Sequence, residues 1–196
     1  MFQQVLPEKA LNLIDEIASR VNSFYLAGGT GLALQLGHRV SEDLDLFSEQ
    51  GFDVEEIEAA IAPDKVISVR PQTLHCVKAG IRISLLFYNV PLCYPRHSWR
   101  GLNVAAWQDI VAEKIKTVFQ RGSKKDFWDV YSVIALRSSI DEVGGLFLKR
   151  FKGTGINLYH VVKSMVYFED ADKEPEPILL PNGKKSDWEK IKQFFE

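Results

Sequence analysis

The sequence predicts an α+β fold, in which a mixed β-sheet with flanking helices is followed by a C-terminal helical bundle. Short apolar or alternating runs, which are typical of strands, are confined to the first half of the chain. They cover residues 24–27, 43–47, 65–70, 73–78 and 81–88. From residue 106 onward, apolar residues recur at helical spacing instead. We therefore expect an α/β domain over residues 1–105 and a helical domain over residues 106–196.

The composition is that of an ordinary globular protein, with 46% hydrophobic and 26% charged residues in a chain of 196. The net charge is −2, so any nucleic-acid site must be a local patch rather than a basic surface. The two cysteines, Cys76 and Cys93, have no metal-binding spacing and favour a reduced cytosolic protein over a disulfide scaffold. The first residues lack the features of a signal peptide, and no apolar run is long enough to span a membrane. We expect a cytoplasmic protein with no membrane partner.

Residues 24–47 (FYLAGGTGLALQLGHRVSEDLDLF) are predicted to form a strand, a glycine turn, a short helix and a second strand. Gly28 and Gly29 end the first strand and allow backbone N–H groups to approach a ligand closely. Thr30 is the expected N-cap of a helix over residues 31–36. A helix N-terminus beside a glycine turn is a ready site for phosphate.

The second of these strands carries two acids. Side chains alternate between the faces of a strand, so Asp43 and Asp45 lie side by side, opposite Leu44 and Leu46. Paired carboxylates suit Mg²⁺, which shares its coordination shell with substrate phosphates. Each motif alone is weak, because most glycine turns are only turns and many half-exposed strands alternate in this way. Together, in this order, they favour a site for phosphoryl or nucleotidyl transfer.

The remaining elements follow from periodicity and breakers. Helices are predicted over residues 7–21, 53–61, 140–151, 156–168 and 186–195, and from residue 106 onward. Residues 91–101 (PLCYPRHSWRG) are predicted to be a loop between the two halves. Its Arg96, His97 and Arg100 could contact a polynucleotide or could simply be solvated.

Lys114 is unusual because it lies within the apolar stripe of the first helix of the second half. An ammonium there must reach water or an anion. Lys114 either extends into the cleft toward a triphosphate or pairs with a carboxylate of the next helix. Asp126 and Asp129 lie three residues apart on that helix, for which Ser123 is the expected N-cap. Both alternatives can hold, because a residue that anchors Lys114 would itself serve the site.

Two further groups of basic residues adjoin these motifs. His38 and Arg39 precede the acidic strand and could contact phosphate or base at the cleft rim. A cluster near the predicted helix pair could bind triphosphate or an RNA backbone, or form a solvated surface; it comprises Lys114, Lys116, Arg121, Lys124 and Lys125.

Gly28-Gly29-Thr30 followed by Asp43-x-Asp45 resembles the signature of the polymerase-beta-like nucleotidyltransferase superfamily. The fuller string GGTGLALQLGHRVSEDLDLF is similar to the AbiEii/AbiGii toxin branch of that superfamily. The resemblance continues in DIVAEKIKTVFQRGSKKDFWDVY and in the tail segments HVVKSMVYFEDAD and DWEKIKQFFE. It therefore extends over nearly the whole chain.

The resemblance implies a nucleotidyltransferase-like α/β domain that moves a nucleoside monophosphate from an NTP to an acceptor hydroxyl. It further implies an RNA acceptor such as a tRNA end, and a toxin paired with an antitoxin protein or acting in phage defence. The implied metal is Mg²⁺, held by Asp43 and Asp45. The implied nucleotide-binding residues are Gly28, Gly29, Thr30 and Lys114, and Lys114, Asp126 and Asp129 complete the catalytic set with the acids. His38 and Arg39 are added as nucleotide-binding candidates because of their position ahead of the acidic strand.

Ser84 departs from this pattern. Many members of the superfamily have a third metal-site carboxylate on the strand predicted over residues 81–88, at the position that Ser84 occupies here. The departure bears on a full two-metal site and on the general base. It keeps open a non-catalytic nucleotide-binding or regulatory module. An antibiotic-modifying nucleotidyltransferase is the other alternative, because such enzymes share the first motif.

Overall fold

The computed structural model describes residues 1–183 and 187–196. Its strands are β1 (Tyr25–Leu26), β2 (Leu44–Ser48), β3 (Lys65–Arg70), β4 (Thr73–Lys78), β5 (Ile81–Phe87), β6 (His97–Trp99) and β7 (Leu102–Val104). Within the described residues these strands form one sheet in the order β3-β4-β5-β2-β1-β7-β6. Pairing is mixed, since β2 runs parallel to β5 and antiparallel to β1. The expected α+β fold with a mixed sheet is confirmed.

The helices are α1 (Glu8–Ile17), α2 (Gly28–Leu36), α3 (Val54–Ile61), α4 (Trp107–Arg121), α5 (Lys124–Leu136), α6 (Ile140–Arg150), α7 (Leu158–Ser164), α8 (Glu169–Asp172) and α9 (Trp188–Phe195). Short 3-10 turns precede and follow α1. Asp53 caps α3 as expected, accepting hydrogen bonds from the N–H groups of Glu55 and Glu56. No helix in the described part of the chain has the length and apolar character needed to cross a bilayer.

Alternation along β2 and β5 separates a core face from a cavity face. Leu44 and Leu46 of β2 and Ile83 and Leu85 of β5 are almost completely buried in one apolar cluster with α1. Burying each such side chain stabilises the fold by about 1.5–3 kcal/mol. The same alternation turns Asp45 to the opposite face, so the core fixes the direction in which that carboxylate points.

A tail segment returns from the helical half to the sheet half. Leu179 forms an isolated antiparallel bridge with Arg39. The N–H of Val40 donates to the Ile178 carbonyl at 2.8 Å, and the N–H of Leu180 donates to the His38 carbonyl at 2.9 Å. The tail is therefore tied by backbone hydrogen bonds to the loop that precedes β2.

Six expectations about elements need correction or a remark. The first strand has only two residues, and α2 begins at Gly28 rather than residue 31. The predicted loop over residues 91–101 contains β6, which pairs with β7 in a tight hairpin. The predicted helix over residues 156–168 is broken after α7, where the chain turns with i→i+3 hydrogen bonds. The expected start of the last helix at Ser186 lies outside the described residues, and the division at residue 105 stays a prediction.

Candidate active site

A cavity of about 800 Å³ opens between β2 and α4. The glycines at the start of α2 and both acids of the β2 segment line one end of it. Side chains from α4 line a wall, and residues 174–178 of the tail line the rim. Carboxylates, a helix N-terminus and cations therefore share one space, as phosphoryl chemistry requires.

The glycine turn fits closely against charged side chains. Gly28 has a φ of +59°, and a β-carbon added there would collide with Oδ2 of Asp45. A β-carbon at Gly29 would collide with the guanidinium of Arg39. Glycine at these positions lets a carboxylate and a guanidinium reach the backbone at the start of α2.

The two acids point into the cavity. Asp43 is exposed just before β2, and Asp45 is half-buried within it; both line the cavity together with Gly28 and Gly29. Burial raises the pKa of the Asp45 carboxyl above its ordinary value, and the nearby Lys114 ammonium opposes that rise. A neighbouring cation therefore stabilises the ionised form of this half-buried carboxylate.

Thr30 has a different position from the one expected. The first helical hydrogen bond of α2 runs from the Gly31 N–H to the Ala27 carbonyl at 2.9 Å, so Thr30 lies inside the first turn and Ala27 is the N-cap. The Thr30 hydroxyl is buried, hydrogen-bonds with the Ser41 hydroxyl at 2.7 Å and donates to the Asp43 carbonyl. Thr30 therefore braces the loop that presents Asp43 and does not line the cavity.

Lys114 takes part in a buried network of charges. Its Nζ lies 2.8 Å from Oδ1 of Asp126 and 2.7 Å from Oδ2 of Asp129. Arg39 approaches Asp129 with both Nε, at 2.7 Å, and a terminal nitrogen, at 2.9 Å. Arg121 donates to Asp126 at 2.9 Å. Three cations thus surround two carboxylates, and all three cationic residues line the cavity.

The network keeps Asp129 and Lys114 ionised. Burial by itself would raise the pKa of Asp129, but Arg39 and Lys114 lower it well below its ordinary value. Burial by itself would lower the pKa of Lys114, but Asp129 and Asp126 raise it. Lys114 therefore stays an ammonium at the wall of the cavity. Both alternatives for Lys114 are compatible with this geometry, since it is paired with α5 and also faces the cavity.

His38 is separated from the cavity rim where it was expected. Its side chain is completely buried, and Nε2 lies 2.7 Å from Oδ1 of Asp129. Nδ1 has no hydrogen-bond partner among the described residues. Burial lowers the pKa of His38 despite the contact with Asp129, so the ring is neutral near pH 7. Arg39 lines the cavity, whereas His38 does not line it and contacts Asp129 instead.

Ser84 lies beside Asp45 on the neighbouring strand. The two residues are paired in the parallel ladder between β2 and β5, and the Ser84 hydroxyl contacts Nδ1 of His75 at 3.1 Å. Within the described ranges, no group of three or more His, Cys, Asp or Glu residues could hold a metal ion. The acidic pair is therefore not completed by a third carboxylate there.

The basic residues singled out in the sequence have varied surroundings. Arg96 pairs with Glu49 at 2.6 Å, and Arg100 pairs with Asp15. Lys116 donates to the Tyr88 hydroxyl at 2.8 Å. Each of these three cations therefore has a partner side chain within the protein. Lys125 does line the cavity, as does Arg121, whereas Lys124 contacts the Trp188 ring.

Sequence reasoning missed two parts of the cavity. The first is the tail at residues 174–178, where Pro175 and Pro177 predict a loop but no role at a cavity. Oε2 of Glu174 accepts from the Ser123 hydroxyl at 2.8 Å and from the Lys124 N–H at 2.9 Å, so Glu174 caps α5 from the tail. The second is an aromatic wall formed by Tyr25, Phe47 and Tyr88. Aromatic residues on strands are typical of an ordinary core, so the sequence pattern does not mark these three as cavity residues.

Solved structures share this fold. MenT4, nucleotidyltransferase toxin Rv2826c from Mycobacterium tuberculosis H37Rv, aligns with a TM-score of 0.65 and 18% identity over 95% of this chain and 80% of that one. JHP933 from Helicobacter pylori aligns with a TM-score of 0.55 and 16% identity over 97% of this chain and 90% of that one. At such identities the likeness concerns the fold. The likeness places the chain in the nucleotidyltransferase fold class.

Sequence comparison identifies the family within that class. The family model described as "Nucleotidyl transferase AbiEii toxin, Type IV TA system" matches residues 16–91. Uncharacterized protein aq_aa25 from Aquifex aeolicus (strain VF5) is 35% identical over 185 residues, covering 89% of this chain and 85% of that protein. The chain belongs to the AbiEii family of nucleotidyltransferase toxins, which confirms the resemblance noted in the sequence.

Proposed function

We propose that this nucleotidyltransferase moves a nucleoside monophosphate from an NTP to an acceptor hydroxyl and releases pyrophosphate. One observation carries the proposal: Asp43, Asp45 and the Gly28-Gly29 turn line a single cavity whose wall includes Lys114. That arrangement combines anionic groups suited to a cation with N–H groups and an ammonium suited to a polyphosphate.

The donor set fits Mg²⁺. Asp43 and Asp45 would hold the ion through two carboxylates, which is a common arrangement when water and substrate phosphates fill the remaining positions. When bound, Mg²⁺ would neutralise charge on the phosphates and help to align them. The raised pKa of the Asp45 carboxyl, caused by burial, is compatible with a site that gains a cation on loading.

The other cavity residues have complementary roles in this proposal. The backbone N–H groups of Gly28 and Gly29 at the start of α2 bind phosphate oxygens. Lys114 stabilises the negative charge that develops on the leaving pyrophosphate, and Asp126 and Asp129 hold its ammonium in place. Arg39 contributes positive charge beside Gly29. Thr30 and His38 act indirectly, by positioning Asp43 and Asp129 respectively.

We further propose RNA, such as a tRNA end, as the acceptor. Arg121 and Lys125 line the cavity near the N-terminus of α5, where they would attract a phosphodiester backbone as well as the triphosphate. A cognate antitoxin is the proposed protein partner, on the basis of the family. The proposed location is the cytoplasm, where NTPs and RNA are available and cysteines such as Cys76 remain reduced.

The test is a transfer assay with each labelled NTP, total RNA and Mg²⁺, with and without a chelator. The expected result is Mg²⁺-dependent label on RNA. Asp45→Asn should abolish transfer with little change in the unfolding temperature, because it removes a charge and keeps the shape of the side chain. The matched control is Asp141→Asn in the exposed first turn of α6, which should transfer at the unaltered rate. An unchanged rate in Asp45→Asn would contradict the metal assignment.

Ser84 favours a second candidate, a nucleotide-binding or regulatory module without catalysis. Serine cannot supply the carboxylate that a complete two-metal site would use beside Asp45. The same assay separates the candidates, because NTP binding without transfer to any acceptor would support the module. With an aminoglycoside added to the assay as a second acceptor, label found only on that small molecule would support an antibiotic-modifying enzyme instead.

A further inference from the structure

The cavity has an aromatic end that the phosphate chemistry does not use. Phe47 follows Asp45 by two residues on β2, so both side chains point to the same face about 7 Å apart. Tyr88, just after β5, and Tyr25 of β1 complete this wall. Phe47 therefore lies one same-face spacing along β2 from the carboxylate proposed to hold the metal, a separation that a ribose can span.

The rings are packed into a fixed arrangement. Tyr25 and Phe47 stack with ring centroids 5.9 Å apart and planes 26° apart. Phe47 and Tyr88 meet edge-to-face at 6.0 Å and 64°. The guanidinium of Arg96 covers the Tyr25 ring at 4.8 Å from its centroid. Tyr25 is nearly fully buried as a floor, whereas Phe47 and Tyr88 remain half-exposed to the cavity.

Polar contacts lock the Tyr88 ring. Its hydroxyl donates to Oε2 of Glu113 at 3.0 Å and accepts from Nζ of Lys116 at 2.8 Å. Burial, together with Glu113, raises the pKa of the Tyr88 phenol, and burial raises the pKa of Tyr25 to about 12, so both rings stay neutral. Neutral, preordered rings bind a flat ligand at a low cost in conformational entropy.

We propose that Phe47 and Tyr88, supported by Tyr25, form the subsite that stacks the nucleobase of the NTP. The inference rests on the proposed function and adds the position and orientation of the nucleotide. The triphosphate lies at the end with Gly28 and Asp45, and the base lies against the two half-exposed rings. Stacking on an aromatic side chain tolerates every base, because each base has a π-face.

The experiment compares ligands with and without a base. Binding is measured by calorimetry with Mg²⁺ and without RNA, for each of the four ribonucleoside triphosphates and for inorganic tripolyphosphate. The unaltered protein should bind at least one NTP more tightly than tripolyphosphate. Phe47→Leu keeps an apolar side chain but removes the ring. It should weaken the binding of that NTP by roughly fivefold or more. Its affinity for tripolyphosphate should change by less than about twofold.

Two controls separate stacking from damage to the fold. Phe119→Leu makes the same chemical change on a half-exposed ring of α4 outside the cavity, and it should alter neither affinity. Tyr88→Leu should weaken the binding of NTP more than that of tripolyphosphate. Tyr88→Phe, which keeps the ring and loses the hydroxyl, should retain most of the NTP affinity. Unfolding temperatures of all variants are measured alongside.

Each contrary outcome is distinct. Equal weakening of NTP and tripolyphosphate by Phe47→Leu would overturn the subsite, as would unchanged NTP affinity. Unchanged NTP affinity with a raised KM for RNA would assign the rings to a base of the acceptor instead. If the unaltered protein binds neither NTP nor tripolyphosphate, the proposed function fails and the subsite fails with it.

Discussion

At the residue scale, Gly28 and Gly29 matter because of the side chains that approach them. The space that a β-carbon would need at Gly28 is taken by the Asp45 carboxylate, and at Gly29 by the Arg39 guanidinium. The sequence predicts that backbone can be approached here. It does not reveal that protein groups make the approach, because Arg39 and Asp45 reach the turn only through the fold of the intervening chain.

Gly28→Ala is therefore expected to impair both stability and transfer. A side chain at a φ of +59° costs about 1–2 kcal/mol, and the β-carbon must displace the Asp45 carboxylate. Misplacing a catalytic group by about 1 Å can reduce a rate by roughly a hundredfold. Urea unfolding and initial transfer rates measure the two effects.

The control is Gly144→Ala within α6, where an added β-carbon meets nothing within 4 Å. Alanine is favoured over glycine in a helix, so this variant should gain about 0.5–1 kcal/mol and keep its transfer rate. A Gly28→Ala protein with the rate of the unaltered enzyme would show that the close approach to Asp45 does not matter for transfer.

At the scale of elements, α4 and α5 form a pair joined by buried charges. The sequence places Lys114 in an apolar stripe and Asp126 and Asp129 on the next helix, so their pairing was one of two alternatives that helical spacing left open. The participation of Arg39 and His38 in this network could not be predicted from the sequence. They belong to the loop after α2, 90 residues or more from Asp129 along the chain. No local pattern reports a contact over that separation.

Asp129→Asn should lower the free energy of unfolding by about 3–5 kcal/mol, because it leaves buried cations without a full counter-charge. Asp43→Asn makes the same substitution on an exposed side chain and should change stability by less than about 0.5 kcal/mol. Urea denaturation of both variants at pH 7 gives the comparison. Equal effects would mean that the network is not a major source of stability.

At the scale of the whole molecule, the cavity is completed by chain segments that are far apart in sequence. Helical periodicity predicted most of the helices in the second half of the chain. Strand alternation predicted the bounds of β2 to β5 to within a residue or two. The order of the sheet was not accessible, since the parallel pairing of β2 with β5 depends on tertiary packing. The path of the tail was hidden for the same reason: prolines indicate a loop but do not say that Leu180 hydrogen-bonds to His38.

The burial of His38 beneath that tail makes the stability of the whole fold depend on pH. Burial holds the pKa of His38 below its ordinary 6.5 in the folded state, so the unfolded chain binds more protons as the pH falls through that value. The free energy of unfolding should therefore decrease below about pH 6.5, with His38 contributing at most about 1.4 kcal/mol per pH unit. Asp129, whose pKa is lowered well below 3.8, should add a further loss below about pH 4.

Urea unfolding between pH 5 and pH 8 at constant ionic strength measures this dependence. His38→Gln can still donate a hydrogen bond to Asp129 but does not titrate, so it should flatten the decline between pH 7 and pH 5. His160→Gln removes an exposed histidine of α7 and should keep the profile of the unaltered protein. Parallel profiles for His38→Gln and the unaltered chain would mean that His38 has the same pKa in the folded and unfolded states, and the lowered pKa assigned to it would be wrong.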